Sequence, residues 1–172
     1  MARCVVLVPD SAAATTTSGC DVVSESFNAA DYLVHRHLFE GRAEALAIRD
    51  RTGGITYADL SKQVRALAAG LRALGLRRDD RVLMVSADGV PMVTTILAAF
   101  HAGLVAVPVS TMFNGAELSK LIADSGARVG MCTEEFAEQL SDALATGIEV
   151  DTVLYHGDPG SLASSNQTVC TS

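Results

Sequence analysis

The stretch from Arg81 to Tyr155 constrains the fold most, because four short apolar runs alternate there with three amphipathic segments. Val82-Leu83-Met84-Val85 opens the series as a continuous apolar run, as expected of a strand covered on both faces. A helix is predicted from about Gly89 to Gly103. It buries Met92, Val93, Ile96, Leu97 and Phe100, while Ala98 and Ala99 permit close approach to a sheet. Residues 104–107 read as the next strand. Asn114 and Glu117 then have capping-box spacing ahead of a helix carrying Leu118, Leu121 and Ile122. A strand over 128–132, a helix marked by Phe136, Leu140 and Leu144, and a strand over 150–155 complete the pattern. Four strands alternating with three helices predict an α/β fold of the doubly wound kind: a four-stranded, mostly parallel sheet with helices on both faces. Ligands of such sheets sit beyond the carboxyl ends of the strands. Here those ends carry Ser86-Ala87-Asp88-Gly89, Ser110-Thr111-Met112-Phe113 and Thr133-Glu134, none with the composition of a phosphate cradle.

An N-terminal helix and a hairpin are predicted ahead of the sheet. Asn28, with Asp31 three residues on, is placed to cap a helix that runs to about Glu40 and stops at Gly41. Short strands over 45–49 and 54–56 flank a turn at Thr52-Gly53-Gly54. Thr56 and Asp59 then cap a helix whose stripe is Tyr57, Leu60, Val64, Leu67, Leu71 and Leu74, and Gly75 supplies a left-handed stop. Three regions follow: a disordered leader over 1–26 rich in Ser, Thr and Ala, one domain over 27–156, and a disordered tail over 157–172 that loses apolar periodicity.

Composition narrows the function classes. At 172 residues and 49% apolar content the chain can bury one ordinary core. Its longest apolar run is far below the ~20 residues of a membrane span, so no span is expected and a cytoplasmic location is. A net charge of −7 argues against a nucleic-acid partner, which requires clustered Lys and Arg. Cys4, Cys20, Cys132 and Cys170 lack any short paired spacing, so they read as reduced thiols.

Searching for chemistry yields no catalytic, cofactor-binding or metal-binding assignment. Thr15-Thr16-Thr17-Ser18-Gly19 has the residue types of a phosphate loop, yet it follows no strand and precedes no helix. His35 and His37, two apart on a helix, point in different directions. His101 suits the negative end of a helix dipole, and His156 borders the tail. Asp88 beside Gly89 reads as a helix cap, and Asp79-Asp80-Arg81 as a charged turn feeding a strand.

Several segments, in order, resemble one family. They are Asn28-Ala29-Ala30-Asp31-Tyr32-Leu33, Thr56-Tyr57-Ala58-Asp59-Leu60, Leu74-Gly75-Leu76-Arg77 running into Asp80-Arg81-Val82, Ala102-Gly103-Leu104-Val105, and Leu121-Ile122-Ala123-Asp124-Ser125-Gly126-Ala127. The chain thereby resembles the N-terminal part of AMP-forming acyl-CoA synthetases in the adenylate-forming superfamily. Asp79, where other branches carry Gly, and Ser110-Thr111-Met112-Phe113 make it most similar to the benzoate-CoA ligase branch and its actinobacterial relatives. The resemblance implies that the full-length family activates an aromatic or fatty acid with ATP, Mg and CoA. It also implies that the Gly-rich phosphate loop and the distal Lys lie downstream of these motifs, so no catalytic residue transfers. The expectation is a truncated ligase that binds no cofactor and is inactive alone. One half of a split ligase, with a separately encoded chain as partner, and a binding module pairing with intact synthetases are the alternatives.

Overall fold

The computed structural model describes residues 27–50, 53–148 and 150–157, together with the backbone of 168–171. The leader expected over 1–26 lies outside them. The N-terminal helix begins with a π-helical turn, Asp31–His35, and continues as α1, Arg36–Phe39. Asn28 caps it, its Oδ1 accepting from the Ala30 amide at 2.9 Å. An antiparallel hairpin of β1 (Leu46–Asp50) and β2 (Gly53–Thr56) follows. Helix α2, Tyr57–Ala73, starts on Thr56, whose Oγ1 accepts from the Asp59 amide at 3.2 Å. The Asp59 carboxylate reaches back only to the Thr56 hydroxyl, at 3.0 Å.

Strands β3 (Arg81–Val85), β4 (Val105–Pro108), β5 (Val129–Thr133) and β6 (Thr152–His156) are those expected, and all pair in parallel. A fifth, β7 at Thr168–Thr171, adds in parallel to β6, giving the order β4-β3-β5-β6-β7. It falls within the stretch expected to be a disordered tail and corrects that expectation for these residues. Thr-Val-Cys-Thr is dense in β-branched residues but too short for periodicity to register.

Helix α3 (Val90–Ala102) links β3 to β4, α4 (Gly115–Ser125) links β4 to β5, and α5 (Ala137–Leu144) follows β5. Strand alternation divides the core in two. Val82, Met84, Val129, Met131 and Leu154 pack with α2 and α3, through Ala68, Leu71, Ala98 and Ala99. Leu83, Val85, Cys132, Val153 and Tyr155 pack with α4 and α5, through Leu118, Ile122, Leu140 and Ala143. A third cluster ties the N-terminal helix to α2 and α3 through Val34, Leu60, Val64 and Leu97.

The turn into β3 contains the single described non-glycine residue with a left-handed backbone, Asp79 at φ 70°. That conformation favours Gly and is tolerated by Asp, which accounts physically for an acid or a Gly at this position. Phe100, expected in the core, is 39% exposed. Helix α3 instead buries Thr94, Thr95, Ala98 and Ala99, small side chains that admit α2 closely. Among the described residues no helix is long and apolar enough to cross a membrane.

Candidate functional site

The connection after β3 runs through α3 on one face of the sheet, and the segment after β5 runs through α5 on the other. The crevice between the carboxyl ends of β3 and β5 is therefore the topological switch point at which doubly wound sheets bind ligands. Ser86 closes β3; it is buried, and its hydroxyl donates to the Ala87 carbonyl at 2.9 Å. Thr133 closes β5, its Oγ1 buried and without a hydrogen-bond partner. Gln139 of α5 holds the loop after β4 in place, its Nε2 donating to the carbonyls of Thr111 (3.0 Å) and Phe113 (2.9 Å). Its Oε1 is buried without a partner. The capping box expected at Asn114 and Glu117 forms in full, with both bonds at 3.0 Å, and fixes the start of α4.

Charge is segregated along the strands. A shallow cleft of about 380 Å³ beside the carboxyl end of β5 is lined by Glu134, Ala137, Glu138, Ser141 and Asp142. No Lys or Arg occurs in residues 86–89, 109–114 or 133–142. Cations gather at the opposite, amino ends. There Arg128 Nη1 bonds Asp80 Oδ2 at 2.8 Å, while its Nε and Nη2 reach Asp151. The Arg77 amide, with Arg128, holds the Asp80 carboxyl below the usual carboxylate range. The loops at the carboxyl ends thus carry no Lys or Arg to neutralise a triphosphate, and no adenylation step is assigned to them.

The histidines separate as their spacing predicts, but with a consequence the sequence did not reveal. Buried His37 packs against the Tyr57 ring at 4.1 Å between centroids, whereas buried His35 turns toward His101, with centroids 5.0 Å apart. Asp88 is exposed, and α3 begins after Gly89 without any side-chain cap, so the capping role expected of Asp88 is not observed. Pro91 in the first turn removes one donor that a cap would otherwise have satisfied. His156 is exposed, and Cys132 is a buried thiol pushed by burial up to about 12. Thr15-Thr16-Thr17-Ser18-Gly19 lies outside the described residues.

The profile of the AMP-binding enzyme family matches residues 36–169. The chain belongs to this family. It is 31% identical over 139 residues to a benzoate–CoA ligase of Thauera aromatica, covering 80% of this chain and 26% of the ligase. It is 42% identical over 103 residues to a feruloyl-CoA synthase of an Amycolatopsis species, covering 60% of this chain and 21% of the synthase. The crystal structure of a benzoate CoA ligase from Burkholderia xenovorans LB400 superposes with a TM-score of 0.70 at 30% identity, over 76% of this chain and 26% of that one. The resemblance to the benzoate-CoA ligase branch is therefore borne out, as is the α/β architecture of the AMP-binding fold. The chain spans about a quarter of the length of these relatives.

Proposed function

We propose that residues 27–157 are the scaffold of an AMP-forming acid–CoA ligase, and that the groups contacting triphosphate, Mg and CoA lie outside these 172 residues. The supporting observation is the charge distribution: the loops at the carboxyl ends of the strands carry no Lys or Arg and a cleft beside β5 is lined by Glu134, Glu138 and Asp142, while Arg77, Arg81 and Arg128 sit at the opposite strand ends. Preorganised cations and amide donors are the main means by which phosphoryl and adenylyl transfer are catalysed. In this reading the chain alone neither binds ATP nor turns over. The complete ligase takes an aromatic carboxylic acid, since the relatives are a benzoate–CoA ligase and a feruloyl-CoA synthase, and it works in the cytoplasm with ATP, Mg and CoA.

The test is reconstitution. The chain is mixed with a benzoate–CoA ligase lacking its matching N-terminal quarter, and thioester formation is followed. Thioester that depends on both chains is expected; none, when both chains are folded, would count against the scaffold role.

One observation favours the alternative of a module that pairs with an intact synthetase or with a separately encoded half. Among the described residues strand β4 is a sheet edge with a partner on one side only, and its Val105 is 40% exposed. Open edges invite pairing by another chain. Co-purification with an intact benzoate–CoA ligase, lost on Ala106→Pro at that edge, is the outcome this second reading predicts.

A further inference from the structure

Away from the carboxyl edge, three side chains converge that scaffolding does not explain. Asp31 and His35 lie four apart on the N-terminal helix, and His101 stands in the last turn of α3. One ligand-type atom from each lies within 4.8 Å of the other two. Asp31 Oδ1 is 3.8 Å from His35 Nε2 and 3.7 Å from His101 Nδ1. These separations exceed hydrogen-bond length, and both imidazole nitrogens are buried without a hydrogen-bond partner. His35 is only 2% exposed, and its other nitrogen is engaged by Ser61 Oγ at 2.7 Å. Nε2 is therefore the atom left facing the carboxylate and His101.

Buried polar atoms rarely stay unpaired without a reason. Here two of them, His35 Nε2 and His101 Nδ1, face a common point with the exposed Asp31 carboxylate, too far from it for a hydrogen bond. Two edges of this triangle are 3.8 and 3.7 Å and the third is within 4.8 Å, which puts a point equidistant from the corners about 2.2–2.4 Å from each, near the ~2.0–2.2 Å of zinc bonds to imidazole nitrogen and carboxylate oxygen. We infer that Asp31, His35 and His101 form a site for a divalent transition-metal ion of the zinc class, with Ser61 orienting the His35 ring.

The donor set supports this class. Two imidazoles and one carboxylate suit zinc and its late first-row neighbours, whereas magnesium prefers all-oxygen shells. A ligating imidazole is generally held by a hydrogen bond on its other nitrogen, the part Ser61 plays. The π-helical turn over Asp31–His35 is a geometry concentrated at functional sites. Three protein ligands leave a fourth position for water, and the Asp31 side chain, 60% exposed, opens the site to solvent. The ion would bind the N-terminal helix to α3, beside the Asn28 Nδ2 bonds to the Phe100 and His101 carbonyls at 3.4 Å.

The test uses the full 172-residue chain with Cys4, Cys20 and Cys170 replaced by Ser, so that thiolates do not compete. Zinc(II) is titrated by calorimetry, and cobalt(II) serves as the spectroscopic probe. The expected result is one equivalent bound, a cobalt d–d spectrum without thiolate charge transfer, and no competition from magnesium. Asp31→Asn, at an exposed position that leaves the fold intact by circular dichroism, and His101→Gln should each weaken zinc by more than the ~10–100-fold typical of an outer-shell change. Ser61→Ala should weaken it by about tenfold. Absence of binding, binding unaltered by Asp31→Asn and His101→Gln, or equal competition by magnesium would each overturn the assignment.

Discussion

The same substitution, Gly to Ala, should change stability in opposite directions at two helical positions. Gly70 lies in α2 with open space around the position a Cβ would take and no left-handed backbone. Replacing it removes an unfolded-state entropy disadvantage of roughly 0.5–1 kcal/mol, so Gly70→Ala should stabilise by about that amount. Gly115 is the first residue of α4, and a Cβ there would lie 2.6 Å from the Asp142 Cβ and 3.2 Å from the Ala143 amide nitrogen of α5. Neither atom is the tip of a flexible side chain, so the two helices must separate by about an ångström. Overpacking of this kind costs about 1–3 kcal/mol, more than the propensity gain of at most ~1 kcal/mol. Gly115→Ala should therefore destabilise by up to about 2 kcal/mol once the full propensity gain is subtracted. The chain has no Trp, so urea unfolding is best followed by far-ultraviolet circular dichroism. With a slope of about 1–3 kcal/mol per molar urea, each kilocalorie moves the midpoint by roughly 0.3–1 M. Midpoints moving in the same direction for both variants would refute the reasoning, because the close approach of α4 to α5 would then not exist in solution.

Further outcomes follow from the same packing and electrostatics. Leu140→Ala, at a side chain fully buried against Gly130 and Leu118, should lose about 2–5 kcal/mol by urea unfolding. Asn114→Ala removes the side-chain cap bond to the Glu117 amide and keeps the backbone bond from residue 114 to the Glu117 carboxylate; a loss near 1 kcal/mol is expected in the same assay. Asp80 binds its proton less tightly when folded than when unfolded. Its stabilising contribution is thus present above the ordinary carboxylate pKa of about 3.9 and is lost as pH falls through the lower folded value. Thermal midpoints measured against pH should fall less steeply on the acid side for Asp80→Asn, and an unchanged slope would contradict this pairing. Cys132, its thiol pushed up to about 12 by burial, should resist a disulfide-exchange reagent until the chain unfolds.

What the sequence disclosed was local in origin. The Asn114–Glu117 box, the Thr56 cap and the Val82–Val85 strand depend on neighbours within a few residues, and each formed where its pattern lies. Gly41, Gly75 and Gly103 likewise adopt the left-handed backbone expected of helix stops. Tertiary choices were less visible. Phe100 turned outward because α2 selects the small face of α3 carrying Thr94, Ala98 and Ala99. Strand β7 pairs with β6 across a long connection, and four residues hold too little pattern to announce that pairing. For the metal-type cluster, the Asp31–His35 spacing was a readable half, since i and i+4 share a helix face. His101 joins them only because α3 packs against the N-terminal helix, a contact absent from any local window.

The central claim is that these residues are the scaffold of an acid–CoA ligase and lack its adenylating groups. Exchange of pyrophosphate into ATP by the purified 172-residue chain, with benzoate or ferulate and Mg, tests it most directly. No carboxylate-dependent exchange and no saturation with ATP are expected; exchange that rises with benzoate and saturates with ATP would contradict the scaffold role.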